Sequence, residues 1–148
     1  MQEEVLVAVD GSERSDRIVD YASDFAKRTS LPILLVYVVK KLEEEPEGVR
    51  EFEKVEKFQD AYANYFQGIG DAVTTRLGER IAKQEVPYRV LIEFGNPAER
   101  ILALSKSENS KFIVVGLRGL HGVALMRSLG SVARRVVENA ECPVLVVP

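Results

Sequence analysis

Residues 5–28, VLVAVDGSERSDRIVDYASDFAKR, change hydrophobic period part-way along. Val5–Val9 is a short, nearly continuous β-branched run, the pattern of a strand buried on both faces. It stops at Asp10-Gly11-Ser12, which are turn and cap residues, and Ser12 is expected to be the N-cap of a following helix. Beyond it Ile18, Ala22, Phe25 and Ala26 recur at helical spacing, while Asp16, Asp20, Asp24 and Lys27 share the other side. A buried strand feeding an amphipathic helix is the opening of a parallel α/β sheet.

The rest of the chain repeats that alternation. A second apolar run, Ile33–Val39, follows Pro32. Residues 40–57 are mostly charged and are expected to form a solvated loop leading into a solvated helix. Val55, Phe58, Tyr62, Tyr65, Ile69, Val73, Leu77 and Ile81 then recur three or four apart, predicting one long helix with this stripe in the core. Gly68, Gly70 and Gly78 each cost about 1 kcal/mol there, so packing must hold the segment helical. Tyr88–Phe94 reads as a third strand, with Val90, Ile92 and Phe94 on one side. Asn96-Pro97-Ala98-Glu99 reads as N-cap, proline at the first helical position and glutamate at the third. Ala98, Ile101, Leu102 and Leu104 form that helix's apolar face. Phe112–Val115 and Val144–Val147 are the fourth and fifth strands. Between them Val132, Ala133, Val136, Val137 and Ala140 mark a last helix, with Arg134, Arg135 and Glu138 opposite. The expectation is a single α/β domain over residues 1–148, a doubly wound parallel sheet with helices on both faces and right-handed crossovers.

Composition narrows the function. The 148 residues carry Lys+Arg 20 against Asp+Glu 23, a net charge of −3, and the pI is near 5.3. That lacks the basic footprint of a nucleic-acid binder, so no nucleic-acid partner is expected. No apolar run approaches a membrane span, and no membrane association is expected. MQEEVLVAVD is acidic where a signal peptide would be basic, which points to the cytoplasm. One cysteine, Cys142, excludes an internal disulfide, and one histidine, His121, argues against a histidine-rich metal site. Cys142 precedes Pro143 at the entry to a strand and reads as structural. His121 reads as a solvated or phosphate-adjacent loop residue.

In an open parallel sheet, ligands bind beyond the carboxyl ends of the strands, where strand order reverses. The loop there that stands out is Gly116–Ser131, with four of the chain's ten glycines, running into a helix N-terminus. Glycines let backbone N–H groups approach a phosphate, and the helix end adds unpaired donors. Arg118 and Arg127 add charge, and the loop contains no acid to oppose it. Ser131 could donate its hydroxyl to a phosphate or hold a metal-bound water. There is no Gly-Lys-Ser/Thr, so this is not a Walker loop, and neither its spacing nor its place after the fourth strand fits the dinucleotide fingerprint.

Taken together, Val7–Ser12 (VAVDGS), Tyr37-Val38-Val39, Gly95–Glu99 (GNPAE), Ile113–Gly119 (IVVGLRG), Leu129–Val132 (LGSV) and Cys142–Val147 (CPVLVV) resemble the universal stress protein family over almost the whole chain. The resemblance implies strand order 3-2-1-4-5, which places Asp10 opposite the glycine loop. It also implies an adenine nucleotide, ATP or AMP, with Ala8, Asp10 and Val38 lining the adenosine end. Gly116, Arg118, Gly119, Gly130, Ser131 and Val132 would hold ribose and phosphates. Asp10 would accept from ribose hydroxyls or serve as an outer ligand to Mg2+ shared with the phosphates. Nucleotide-binding members carry Gly-x-x-Gly, nine residues, then Gly-Ser/Thr. Here Leu120–Leu129 is ten residues long, and a bulge is expected at Leu120-His121-Gly122.

The resulting expectation is a regulatory stress-response protein that binds ATP or AMP without efficient turnover, with no catalytic residue and no dedicated metal site. The loop has no lysine, glutamate or water-positioning base for hydrolysis. The alternative is a nucleotide-independent dimeric interaction module of the same fold. A phosphoacceptor receiver domain shares the layout but needs an aspartate ending its third strand and a lysine after its fifth; this chain has Phe94-Gly95-Asn96 and then Val147-Pro148. Val144–Val147 is apolar and would be a sticky edge strand, so a homodimer through it is expected.

Overall fold

The computed structural model describes residues 2–41, 52–119 and 128–148. The elements are β1 (Glu4–Val9), α1 (Ser15–Thr29), β2 (Ile33–Lys40), α2 (Phe52–Lys83), β3 (Tyr88–Gly95), α3 (Pro97–Ser107), β4 (Ser110–Gly116), α4 (Ser131–Asn139) and β5 (Val144–Val147). All five strands run parallel in the order β3-β2-β1-β4-β5. The order reverses at β1, which pairs Val9 with Tyr37 on β2 and Val7 with Val114 on β4. The expected doubly wound sheet is therefore present, with its switch point between β1 and β4.

Two cores lie on opposite faces of the sheet. Val5, Val7, Val9, Ile33, Leu35 and Val114 pack against Ile18, Val19, Ala22 and Ala26 of α1 and Leu77 and Ile81 of α2. Leu6, Leu34, Val36, Ile113 and Val115 pack against Ala98, Ile101 and Leu104 of α3 and Ala133 and Val136 of α4. Alternation along each strand divides its side chains between these cores, so every central strand must be apolar on both faces. Burying one such leucine or valine side chain is worth roughly 1.5–3 kcal/mol.

The α3 cap is as expected: Asn96 is the N-cap, its side chain accepts from the Glu99 backbone N–H at 3.1 Å, and Pro97 opens the helix. The α1 cap is not. Arg14 occupies that position, and no side chain caps it. Asp10 takes the Ser12 N–H instead, at 2.9 Å to Oδ1, closing an Asx turn that carries the chain through Gly11 at φ +80°. The Ser12 carbonyl then accepts from Ser15, and the helix starts two residues late.

The long helix α2 forms, but only its second half is core. Thr74, Leu77 and Ile81 are buried, whereas Phe58 and Tyr65 are exposed, Tyr65 by 66%. The expected aromatic core stripe thus fails at Phe58 and Tyr65, while Tyr62 on the same stripe is half-buried and donates to the Lys40 carbonyl at 3.1 Å. Two of the three glycines have a contact reason. A methyl group on Gly70 would lie 2.8 Å from Tyr37 Cδ1, and one on Gly78 would lie 2.7 Å from the Tyr88 ring, while one on Gly68 would meet nothing within 4 Å. β3 is an edge strand, and Val90 and Phe94 on its apolar side are exposed. Val137, placed on the apolar arc of α4, is also exposed. Most of the charged 40–57 run, residues 42–51, lies outside the described residues, as do His121, Arg127 and the expected bulge at Leu120-His121-Gly122.

Candidate functional site

The carboxyl ends of β1 and β4 bring the glycine loop to Asp10. β4 ends at Gly116, where a methyl group would lie 2.9 Å from Ile18 Cδ1 and 3.2 Å from the Arg118 carbonyl oxygen. The next N–H, of Leu117, donates to the Val147 carbonyl at 2.7 Å, and the Leu117 carbonyl accepts from Gly130 N–H at 2.8 Å. These two bonds tie the loop's start to the end of β5 and to the start of α4. Leu117 is a residue that the reading of side chains passed over, because its contribution is made by backbone atoms. The signal was its place between Gly116 and Gly119.

Gly130 is the N-cap of α4, and its carbonyl accepts from Arg134 N–H at 2.9 Å. A methyl group on Gly130 would sit 3.2 Å from both Arg118 Cα and the Leu117 oxygen, so the close approach of the two loop ends requires glycine. No side chain caps α4 and its first turn carries no acid. Its opening N–H groups at Ser131 and Val132 therefore present unopposed partial positive charge, the condition for holding an anion. Arg118 is half-buried, and its buried Nε has no hydrogen-bond partner among the described residues. Unpaired buried donors are costly, and a polar ligand would satisfy this one.

Gly119 approaches Asp10 most closely. A methyl group there would lie 3.0 Å from Asp10 Oδ2, while Oδ1 is held by Ser12 N–H. The acid thus sits half-buried where the strand order reverses, across from the phosphate-type loop. Ala8 and Val38, at the same end of β1 and β2, are only partly buried although their neighbours Leu6 and Val36 are fully so. Val132 and Leu129 are likewise partly buried against the same core.

All nine residues singled out from sequence, Ala8, Asp10, Val38, Gly116, Arg118, Gly119, Gly130, Ser131 and Val132, lie at this one end of the sheet. Among the described residues no three His, Cys, Asp or Glu side chains gather as a metal cluster. Cys142 is half-buried, and burial pushes its thiol above the ordinary range, as suits a structural position. Arg135, on the polar side of α4, is exposed and pairs with Glu99 of α3 at 2.9 Å. A depression of about 480 Å3 lined by Lys27, Ser30, Pro32, Glu85 and Pro87 lies at the opposite, amino end of the sheet, away from the glycine loop. Among the described residues no helix is long and apolar enough to cross a membrane.

Comparison with known proteins places this geometry in context. The model of the Universal stress protein family matches residues 1–148. A universal stress protein of Bacillus subtilis, YxiE, is 31% identical over 148 residues, covering 99% of each chain. The structure of the universal stress protein UspA from Lactobacillus plantarum superposes with a TM-score of 0.79 at 23% identity, covering 99% of this chain and 98% of that one. A universal stress protein from Archaeoglobus fulgidus was solved in complex with dAMP; it matches with a TM-score of 0.68 at 19% identity, over 99% of this chain and 98% of that one. Another, solved in complex with cAMP, matches at 0.69 and 22%, over 99% and 97%. At these identities the structures share the fold.

Proposed function

The chain belongs to the universal stress protein family, and from that premise we propose that it is a regulatory protein that binds AMP or ATP at the carboxyl end of its sheet. The observation that carries this reading is the approach of Gly119 to Asp10 at the switch point, beside an uncapped helix N-terminus. The purine rests on Ala8, Val38 and Val132. Asp10 accepts from the ribose hydroxyls, and Gly116, Arg118, Gly119, Gly130 and Ser131 take ribose and phosphate. The complexes of two fold neighbours with dAMP and cAMP support an adenine nucleotide as the ligand class.

Magnesium fits only in company with phosphate. Asp10 is a single carboxylate, and a magnesium ion is commonly held by one or two carboxylates together with phosphate oxygens and water. Turnover is not part of the proposal. The segment 117–131 contains no lysine and no acid, so Asp10 would have to orient water, balance charge and accept a proton at once. With Leu120–Leu129 one residue longer than the family's spacing, terminal phosphates gain little, and AMP is expected to bind nearly as well as ATP. Equilibrium dialysis with AMP, ADP and ATP, each with and without Mg2+, tests this. Dissociation constants within tenfold of one another are expected, with no hydrolysis over hours; absence of binding at millimolar concentration of all three refutes the reading.

The second part of the proposal is a homodimer through β5. Among the described residues that strand pairs only with β4, and Val144, Leu145 and Val146 are incompletely buried along it. A parallel sheet leaves such an edge free to pair with its symmetry mate about a two-fold axis. Light scattering should give twice the monomer mass, and Val146→Lys should return the monomer.

A further inference from the structure

The face of the sheet opposite the crevice reaches Asp10 through α2. Tyr37 lies on β2 beside Val9, the last residue of β1, and its ring is nearly buried on the α2 side. Gly70 of α2 rests on that ring: a methyl group there would meet Cδ1 at 2.8 Å and Cε1 at 3.2 Å. One turn further, Val73 meets the Asp10 turn itself. A methyl group on Gly11 would be 3.1 Å from Val73 Cγ2 and 3.9 Å from Tyr37 Cε2. Tyr62 adds a third tie, its hydroxyl donating to the Lys40 carbonyl at 3.1 Å at the end of β2. Gly11 holds φ +80° between Asp10 and the Ser12 N–H that binds its carboxylate, so moving Gly11 moves Asp10.

We propose that Gly70 and Val73 of α2 are positioning residues for the Asp10 carboxylate, acting through Tyr37 and Gly11 from the far face of the sheet. The proposal rests on the reading of Asp10 as a ribose acceptor. Gly70 allows the helix to press on Tyr37, and Val73 forms the surface on which the turn is built. The Tyr37 backbone is held in place, because β1 and β3 pair with its strand on both sides. A methyl group at 70 therefore displaces either the ring toward Gly11 or α2 away from the turn. Either shift changes where Asp10 sits without touching any group in the crevice. Gly68, two residues earlier on the same helix with nothing within 4 Å, supplies the control.

The test measures AMP affinity by calorimetry in the full chain. Gly70→Ala is expected to weaken binding about tenfold, since misplacement of an ångström is felt strongly where geometry matters. Val73→Ala should weaken it several-fold, and Gly68→Ala should leave it unchanged. In an Asp10→Asn background the effect of Gly70→Ala should disappear, because the pair then shares one broken link. Additive effects, or a Gly70→Ala protein that melts lower but binds AMP as well as the parent, would overturn the proposal. If the parent chain binds no AMP, the ribose reading falls, and the link is read from Tyr37 by NMR of ring-labelled tyrosine. Asp10→Asn should then lower the Tyr37 titration midpoint by a different amount in Gly70→Ala than in the parent. An equal drop in both would overturn it.

Discussion

The two ends of the sheet are built for different purposes. At the amino end, ion pairs stitch neighbouring elements together. Arg89 of β3 binds Glu4 of β1 at 2.8 Å and Glu108 after α3 at 2.6 Å, Lys111 reaches Glu3, and Lys106 reaches Glu141. At the carboxyl end ion pairs also occur, Arg100 with Glu93 and Arg76 with Asp16, but around Asp10 the tight contacts are made by glycines. Gly116, Gly119 and Gly130 bring backbone within reach of Ile18, Asp10 and Arg118. Among the described residues, Ser12 and Ser15 Oγ with Arg100 and Arg118 Nε are buried without a hydrogen-bond partner toward the carboxyl end, Ser23 Oγ midway along α1, and Ser110 Oγ at the amino end. The carboxyl end leaves more such groups for something else to meet.

The largest expected break in that comparison is Gly119→Ala. At about a hundred times its dissociation constant, AMP should stabilise the parent by roughly 2.7 kcal/mol, a melting shift of about 5–10 °C. The added methyl meets Asp10 Oδ2, so the variant should lose most of that shift. Its unliganded melting point should change little, because Gly119 is exposed and its φ is not in the positive region.

Arg89→Ala should do the reverse. It strands Glu4, which is only 8% exposed, and should cost about 2 kcal/mol, less than a fully buried pair because Arg89 itself is half in solvent. Melting should fall by about 4–8 °C while the AMP-induced shift stays intact. If Arg89→Ala removed that shift, the two ends would not be independent.

Alkaline pH supplies a smaller effect. Burial first, and then the charges of Asp10 and Tyr62, hold the Tyr37 hydroxyl above its ordinary value of 10.0. The folded state thus keeps a proton that the unfolded chain gives up, so this contribution is present below pH 10 and is lost as pH rises beyond it. Tyr37→Phe should flatten the alkaline limb of a stability profile. Smallest is Arg80→Ala on the α1–α2 surface. Its hydrogen bond to Asp20, which lowers that carboxyl's pKa, lies in solvent and is screened, so the melting point should barely move. Because the folded value is depressed, that stabilisation is present above about pH 4 and is lost as pH falls further.

Much of the fold was legible because each element carries its own signal. β1, β2 and β5 announce themselves as apolar runs rich in β-branched residues, and Asn96-Pro97 marks α3 without ambiguity. Errors arose where one local device competed with another or where the deciding contact is distant. Ser12 has cap chemistry, but Asp10 claims its N–H two residues earlier. Periodicity gave α2 one apolar face, yet could not say that Phe58 and Tyr65 on it stay exposed. Gly70 and Gly78 read only as helix penalties, because Tyr37 and Tyr88 are distant neighbours in the sequence. The site residues were named from resemblance and loop composition. Their meeting, Gly119 against Asp10, depends on β1 and β4 being neighbours, which no local pattern encodes.

The most direct test of the central claim is amide chemical-shift mapping of the isotope-labelled protein titrated with AMP. Signals at Ala8, Asp10, Val38, Gly119 and Gly130–Val132 should move together and saturate. Those of Glu4, Lys27, Arg89 and Glu108 at the other end should stay in place. Shifts centred instead on the depression between Lys27 and Pro87, or none at millimolar AMP, would contradict the account.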